Sequence, residues 1–154
     1  MNEIKQLEEA DLSEILDLQK RAFNEVAKLM GRYDLPPLLQ SEEELRTEYL
    51  NGTVLKCISE DNRIIGSVRG YKDNENVCHI GKLIVDPAFQ NRGIGKALMY
   101  EIERCYSTCE KFSLFTGEET PNTVFLYKKI GYQIIGKQNL GGIEMYLMEK
   151  KNES

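Results

Sequence analysis

One segment in the middle of the chain constrains the fold more than any other part of the sequence. Residues 77–85 are rich in β-forming side chains, residues 86–92 are predicted to form a loop, and residues 93–109 repeat apolar side chains at helical spacing. Gly93 and Gly95 lie where this helix begins. The first turn of a helix has backbone N–H groups without internal partners, and glycine lets a ligand approach them closely. The segment therefore predicts an anion site, and the anion that suits this geometry is a pyrophosphate.

The rest of the sequence alternates strand-like and helix-like patterns. Capping-box sequences at residues 11–14 and 41–44 predict the starts of two helices, and residues 34–37, which end in tandem prolines, predict a loop between them. A further helix is predicted to end at Gly131, which makes the predicted order β-α-α-β-β-β-α-β-α-β-β. This order predicts a mixed sheet with helices on both faces, in the α/β or α+β class.

Length and charge limit the classes of function. The chain has 154 residues, which predicts one domain spanning residues 1–154, and its formal net charge is -5. An acidic domain is a poor nucleic-acid binder, because neutralising phosphates requires a basic face, so we expect no nucleic-acid partner. No apolar stretch reaches the length of a membrane span, and the N-terminus lacks the apolar core of a signal peptide. We therefore expect a cytoplasmic protein with no membrane partner.

Residues that bind metals are sparse. The sequence has four cysteines, none of them in a Cys-x-x-Cys pair, and a single histidine. A structural zinc site needs several such ligands at close spacing. We therefore expect reduced cysteines and no metal site.

The residues around the two glycines disfavour the common nucleotide-binding motifs. The dinucleotide fingerprint requires a third glycine where this chain has Leu98. The mononucleotide P-loop requires the sequence Gly-x-x-x-x-Gly-Lys-Ser/Thr, which the chain lacks. The predicted pyrophosphate therefore belongs to another kind of ligand.

Two motifs together carry a family resemblance. Leu83–Leu98 has the pattern Leu-x-Val-x-Pro followed by Gln-x-x-Gly-x-Gly-x-x-Leu. A second motif lies in Asn122–Tyr132, where Asn122, Tyr127 and Gly131 are the matching residues. They resemble the coenzyme-A-binding motif and the later Asn and Tyr segment of the GNAT N-acetyltransferase superfamily. Two such motifs in this order, with a helix and a strand between them, are more specific than either motif alone.

The resemblance implies a fold, a co-substrate and a set of contacts. The fold is a mixed, mostly antiparallel sheet of about seven strands, splayed between the fourth and fifth strands. The co-substrate is acetyl-CoA, with its pyrophosphate on the amides of residues 91–96 and its pantetheine arm along residues 83–85. The residues implied to bind acetyl-CoA are Leu83, Ile84, Val85, Gln90, Asn91, Arg92, Gly93, Ile94, Gly95, Lys96, Asn122 and Tyr127.

Three side chains have a role that the resemblance implies and an ordinary structural alternative. Tyr127 would protonate the departing thiolate, or it is a core aromatic on a short helix. Asn122 would bind the cofactor arm, or it caps the helix that follows Pro121. His79 would accept the proton of the amine, or it is a strand histidine bonded to a neighbour, with Glu75 as the alternative base.

The acceptor is the least constrained part of the prediction. The resemblance implies direct attack by a primary amine of a small molecule or a peptide, bound near residues 23–49. The acidic residues 42–44 and Glu48 would attract a cationic amine, or they form a solvated helix face. A non-catalytic acyl-CoA-binding module, a different acyl-CoA donor and a homodimer also remain open.

Overall fold

A computed structural model describes residues 2–117 and 121–153, without the side chains of residues 121 and 122. The strands are β1 (Glu3–Gln6), β2 (Thr53–Ile58), β3 (Ile64–Lys72), β4 (Val77–Val85), β5 (Lys111–Gly117), β6 (Gln133–Leu140) and β7 (Ile143–Lys151). They form a seven-stranded sheet in the order β1-β2-β3-β4-β5-β7-β6. Neighbouring strands run antiparallel, apart from β4 and β5, which run parallel. This confirms the predicted mixed, mostly antiparallel sheet.

Helices cover both faces of the sheet, as predicted. Within the described ranges they are α1 (Leu12–Met30), α2 (Pro36–Leu39), α3 (Glu42–Asn51), α4 (Ile94–Cys105) and α5 (Pro121–Lys129). Side chains of α4 and α5 join the core cluster on one face, and side chains of α1 and α3 join the cluster on the other. None of these helices is long and apolar enough to span a bilayer.

Both predicted helix starts have the predicted positions, but only one has the predicted capping bonds, and the predicted proline loop is wrong. Asp11 does not cap α1 with its side chain, because its carboxylate accepts the Glu8 amide over 2.9 Å in the 3-10 turn that precedes the helix. The tandem prolines open α2 instead of a loop, because proline is tolerated in the first turn, where its missing N–H loses no helical bond. The capping box of Ser41 and Glu44 is present, with reciprocal bonds of 3.1 and 2.9 Å.

Strands β4 and β5 separate part of the way along their length. Their parallel register pairs residues 77–80 with residues 111–114 and stops there. Strand β4 nevertheless continues to Val85 and β5 continues to Gly117. The predicted splay between the fourth and fifth strands is therefore confirmed, and we call the space between the diverging strands the fork.

A β-bulge in β4 lies at the beginning of the fork. Arg69 of β3 pairs with Gly81, and Ser67 pairs with Ile84, so β4 has one residue more than β3 between the two pairs. Lys82, inside this bulge, has a φ of 50°. Because a bulge bends the strand that contains it, the extra residue accounts for the divergence of β4 from β5.

A close approach of α4 to the sheet gives a test of the packing. A Cβ atom on Gly66 of β3 would lie 3.0 Å from a methyl group of Leu98 and 3.1 Å from one of Ile94. We expect Gly66→Val to lower the free energy of unfolding by about 1–3 kcal/mol, because α4 would have to move away from the strand. Denaturant unfolding measures this change. Gly136→Val in β6 is the matched control, since a Cβ there would meet nothing within 4 Å; equal stability of the two variants would contradict the packing.

Candidate active site

The loop before α4 leaves the start of that helix open. Asn91 and Gly93 adopt φ angles of 64° and 80°, in the left-handed region. Gly93 is the N-cap residue and has no side chain with which to cap the helix, and the first turn carries no acidic residue. The first N–H groups of α4 are therefore left without an N-cap side chain, and the helix dipole adds positive potential to them. This is the arrangement that the sequence predicts for a pyrophosphate site.

Gly95 lies where three apolar side chains converge. A Cβ atom there would be 3.3 Å from Leu126 of α5, 3.8 Å from Leu83 and 3.9 Å from Val85 of β4. The missing side chain of Gly95 thus lets the first turn of α4 pack closely on α5 and β4. The side chain of Ile94 is also part of the core, at 5% exposure, so only its backbone is free to bind a ligand.

Cationic side chains flank the open helix start. The guanidinium carbon of Arg92 lies 5.2 Å from the centre of the Phe89 ring, and the ammonium of Lys96 lies 5.9 Å from that of Tyr100. Both cations are exposed. The amide nitrogen of Gln90 reaches back to the carbonyl at the end of β4, over 3.5 Å. The structure therefore brings the predicted loop residues together around one helix terminus.

The end of β4 presents main-chain groups to the fork. The Asp86 amide donates to the Ile65 carbonyl of β3 over 2.8 Å. Because main-chain groups alternate sides along a strand, the N–H and C=O of Val85 face away from β3, toward the fork. The side chains of Leu83 and Val85 pack against one core cluster, and Ile84 belongs to the other. Apart from the 3.5 Å contact of the Gln90 amide with the Val85 carbonyl, this backbone is available to pair with an amide-bearing ligand while the side chains hold the sheet.

A cleft of about 470 Å³ opens at the fork. Its lining includes His79, Gly81 and Lys82 of β4, Arg69 of β3 and Glu48 of α3. A second cavity of about 400 Å³, at the C-terminal ends of α4 and β7, contains none of the predicted site residues. The cleft at the fork is therefore the candidate acceptor site.

The ring of His79 is held from two sides. Its Nε2 lies 2.7 Å from Oδ2 of Asp73, and the Tyr71 ring stacks on it with 5.0 Å between ring centres. The hydrogen bond with His79 is the main cause of a lowered pKa of Asp73, so this carboxylate is ionised and can only accept. Nε2 is then the donor, which leaves Nδ1 as the basic nitrogen of the ring. Beside the ring, a Cβ on Gly81 would meet nothing within 4 Å, which leaves room for an acceptor.

The Asp73 carboxylate is fixed in turn by the loop between β3 and β4. Its Oδ1 accepts the N–H groups of Glu75 and Val77 over 2.8 and 3.0 Å. Sequence reasoning missed Asp73, although Tyr71 and His79 pair across the hairpin and this register places the turn beside the imidazole. Glu75, the alternative base, is exposed on the turn and is not part of the cleft lining.

Tyr127 lies on the sheet face opposite to His79. Tyr127 is 7% exposed and joins the core cluster that also contains Cys78 and Ile80. Because side chains alternate along a strand, His79, between these two residues, faces the other side. Burial raises the pKa of Tyr127, so the phenol is protonated at neutral pH and gives up its proton less readily than a solvated tyrosine. The predicted acid and the predicted base thus flank the sheet from opposite faces.

Cys78 precedes His79 on β4, and Asn122 is the remaining predicted contact of the cofactor. Cys78 is fully buried, and burial raises the pKa of its thiol to about 12, which makes it a poor nucleophile. The side chain of Asn122, predicted to contact the cofactor arm, lies outside the described residues. Within the described ranges, His, Cys, Asp and Glu side chains form no group of three or more that could hold a metal ion.

A network of charged side chains forms one wall of the cleft. Arg69 is 6% exposed, and its guanidinium donates to Gln40 over 3.0 Å and also to Glu48 and Gln19. The Lys82 ammonium donates to the other oxygen of Glu48 over 2.7 Å. Burial opposes the charge of Glu48, but the bond from Lys82 and the nearby charge of Arg69 lower the pKa of Glu48 overall. Sequence reasoning missed Arg69 and Lys82, because neither lies in a motif.

Comparisons with known proteins identify the class to which this fold and site belong. A family model described as the acetyltransferase (GNAT) family matches residues 12–132. The uncharacterised protein YdhI of Bacillus subtilis (strain 168) is 29% identical to this chain, over 71% of this chain and 71% of its own. S-(2-succino)cysteine N-acetyltransferase of the same organism is 27% identical over 93% of this chain and 91% of its own. The crystal structure of PaiA N-acetyltransferase from Thermoplasma acidophilum, in complex with coenzyme A, matches with a TM-score of 0.82 at 20% identity, over 98% of this chain and 99% of that one.

The chain belongs to the GNAT acetyltransferase family, because the family model covers well over half of it. It is therefore an acyltransferase that depends on acetyl-CoA, which is the class that the two sequence motifs predict. The structural likeness confirms the fold.

Proposed function

We propose that the protein transfers the acetyl group of acetyl-CoA to a primary amine of a small molecule or a peptide, by direct attack in a ternary complex. The fork is the observation that carries this proposal. Beside the open start of α4, the main chain of residues 81–85 has no pairing with β5. A diphosphate with a peptide-like arm is complementary to both features, with its phosphates at the helix and its amides along the strand.

The residues that would hold acetyl-CoA follow from these two features. The amides of residues 91–96 would receive the pyrophosphate, and Arg92 and Lys96 would add positive charge. The main chain of residues 83–85 would pair with the pantetheine arm, with Asn122 as a further predicted contact. Acetyl-CoA supplies the thioester, whose C–S bond breaks as the new C–N bond forms.

Three groups of this chain would serve the transfer. His79 would accept the amine proton at Nδ1, since Nε2 is held by Asp73. The Val85 N–H faces the fork, where it would polarise the carbonyl oxygen of the thioester. Tyr127, which is protonated at neutral pH, would give a proton to the departing sulfur, whose negative charge would offset the effect of burial on the phenol. The protons balance, because one leaves the amine and one reaches the thiolate.

A thiol-release assay tests the proposed function. The protein is incubated with acetyl-CoA and a panel of primary amines that includes S-(2-succino)cysteine, the acceptor in the name of one relative. We expect at least one amine to accelerate thiol release and to appear as its acetylated product in mass spectra. If acetyl-CoA raises the melting temperature but no amine accelerates release, the protein is a binding module instead. Propionyl- and succinyl-CoA in the same assay test the choice of acyl group.

A pH–rate profile tests the role of His79. We expect His79→Ala to lower kcat/KM roughly 100-fold near neutral pH, because a positioned base contributes about that much. The loss should shrink as the pH approaches the pKa of the acceptor amine, because an unprotonated amine needs no base. Glu75→Gln is the control and should match the wild type, since Glu75 lies outside the cleft lining. A small loss that is independent of pH would remove His79 from this role.

A further inference from the structure

The wall of the cleft at the fork has more positive than negative charge. Its permanently charged side chains are two cations, Arg69 and Lys82, and one anion, Glu48. We infer that the acceptor amine also carries a carboxylate, which binds the Lys82 ammonium, so the acceptor is an amino acid or a similar small amino-carboxylate. This inference rests on the proposed function and names the class of its acceptor.

Three of the roughly four lone-pair sites of Glu48 are used by donors of this chain, which makes it a poor site for a cationic acceptor. One of its oxygens accepts from Lys82 over 2.7 Å and from Gln40 over 3.2 Å. Its other oxygen is paired with Arg69. A polyamine that reached the remaining site on this carboxylate would lie beside the two cations already paired with it. The structure thus disfavours attraction of a cationic amine by this residue.

Arg69 gives the charged wall of the cleft its net positive charge. It is buried, and its Nε has no hydrogen-bond partner within the described part of the chain. With Glu48 shared between two cations, the cluster keeps one uncompensated positive charge. Burial of an uncompensated charge is unfavourable, and an anion bound next to it removes much of that cost.

Lys82 is the cation that a ligand can reach. Its side chain is 23% exposed, compared with 8% for that of Arg69. An ammonium has three donors, and one of them is used by Glu48. The pKa of Lys82 is lowered, first by burial and then by the neighbouring charge of Arg69, against the opposing effects of Glu48 and of the more distant Glu44. An acceptor carboxylate would supply the counter-charge that the site lacks.

The position of Lys82 also suits the reaction. It follows Gly81 directly, at the bulge where β4 leaves β5, and it lines the same cleft as His79. The other charge near His79, the Asp73 carboxylate, is taken up by the imidazole and the turn. A carboxylate on Lys82 would therefore hold an amino acid in the cleft with its amine available to the base.

Matched pairs of acceptors test the inference. The pairs are amino acids and their carboxamides, which keep the amine and side chain and differ in the anionic group. For the wild type we expect kcat/KM at least about 10-fold higher for the acids, the size of a charge-assisted hydrogen bond. Lys82→Met should lower the ratio of kcat/KM for the acids to that for the amides by roughly this factor, and Lys82→Arg should retain the ratio. Lys72→Met, which removes an exposed lysine outside the cleft lining, is the charge-matched control.

Binding measurements separate this inference from the proposed function. Calorimetry on the coenzyme-A-loaded protein measures affinity for acids and amides without turnover. Tighter binding of the acids, lost in Lys82→Met, supports the inference even if no acetylation is detected, an outcome that would overturn the proposed function alone. Equal or tighter binding of amides or diamines overturns the inference, and an equal loss for acids and amides in Lys82→Met does so too.

Discussion

Gly93→Asp is expected to weaken acetyl-CoA binding roughly 100-fold, because a carboxylate would lie against the phosphates at the start of α4. A Cβ at this position would meet nothing within 4 Å, so the new side chain would extend into the space in front of the helix. The φ of 80° adds backbone strain for a residue with a side chain. Isothermal titration calorimetry with acetyl-CoA measures the loss directly.

Gly93→Asn separates charge from strain in this experiment. Asparagine has nearly the same shape as aspartate and tolerates the left-handed region, but it carries no charge. We expect a loss of a few-fold for this variant, well below that of Gly93→Asp. Affinities like the wild type in both variants would mean that the phosphates bind elsewhere.

The frame of the site could be predicted because its signals are local. The β4 strand has the predicted bounds of Val77–Val85, and α4 begins within one residue of the predicted Gly93. Alternation of side chains and glycine at the helix start each depend on a few consecutive residues, so a single sequence contains them. The splay was predicted only from the family resemblance. It arises at the bulge that contains Lys82, and no local sequence pattern predicts this bulge.

The two capping-box sequences show where local signals fail. Ser41 and Glu44 form the predicted reciprocal bonds. Asp11 instead binds the Glu8 amide and the Lys56 ammonium, and Glu14 accepts the Ile64 amide of β3 over 2.9 Å. The partners on β2 and β3 are more than forty residues away in the chain. Such partners outcompete the local bond, and a one-sequence pattern does not contain them.

The charged wall of the cleft is a larger example of the same limit. Glu48 was predicted to attract a cation or to face solvent, because it follows a run of acidic residues on an amphipathic helix. The packing of α3 against the sheet brings it to Arg69 and Lys82 instead. The charge of the acceptor could therefore not be predicted from the sequence of α3 alone, since the cations that pair with Glu48 lie on other elements.

Tyr127→Phe is expected to lower kcat roughly 100-fold while acetyl-CoA affinity changes less than about two-fold, because the hydroxyl would serve only the departing sulfur. Burial raises the pKa of this phenol, so it enters the reaction protonated. The ring would remain in the core cluster, so the fold should hold. Steady-state kinetics with a saturating acceptor, together with calorimetry, measure the two effects separately.

Tyr132→Phe is the matched control for this experiment. Its ring lies 5.9 Å from that of Tyr127 in the same cluster, and its hydroxyl donates to Glu103 over 2.7 Å. Loss of that bond should cost stability, about 1–2 kcal/mol, with kcat close to the wild type. If Tyr127 is only a core aromatic, Tyr127→Phe should have the kcat of the wild type. The two phenylalanine variants therefore distinguish a proton donor from a packing residue, because one hydroxyl has a partner inside the protein and the other is proposed to act on the substrate.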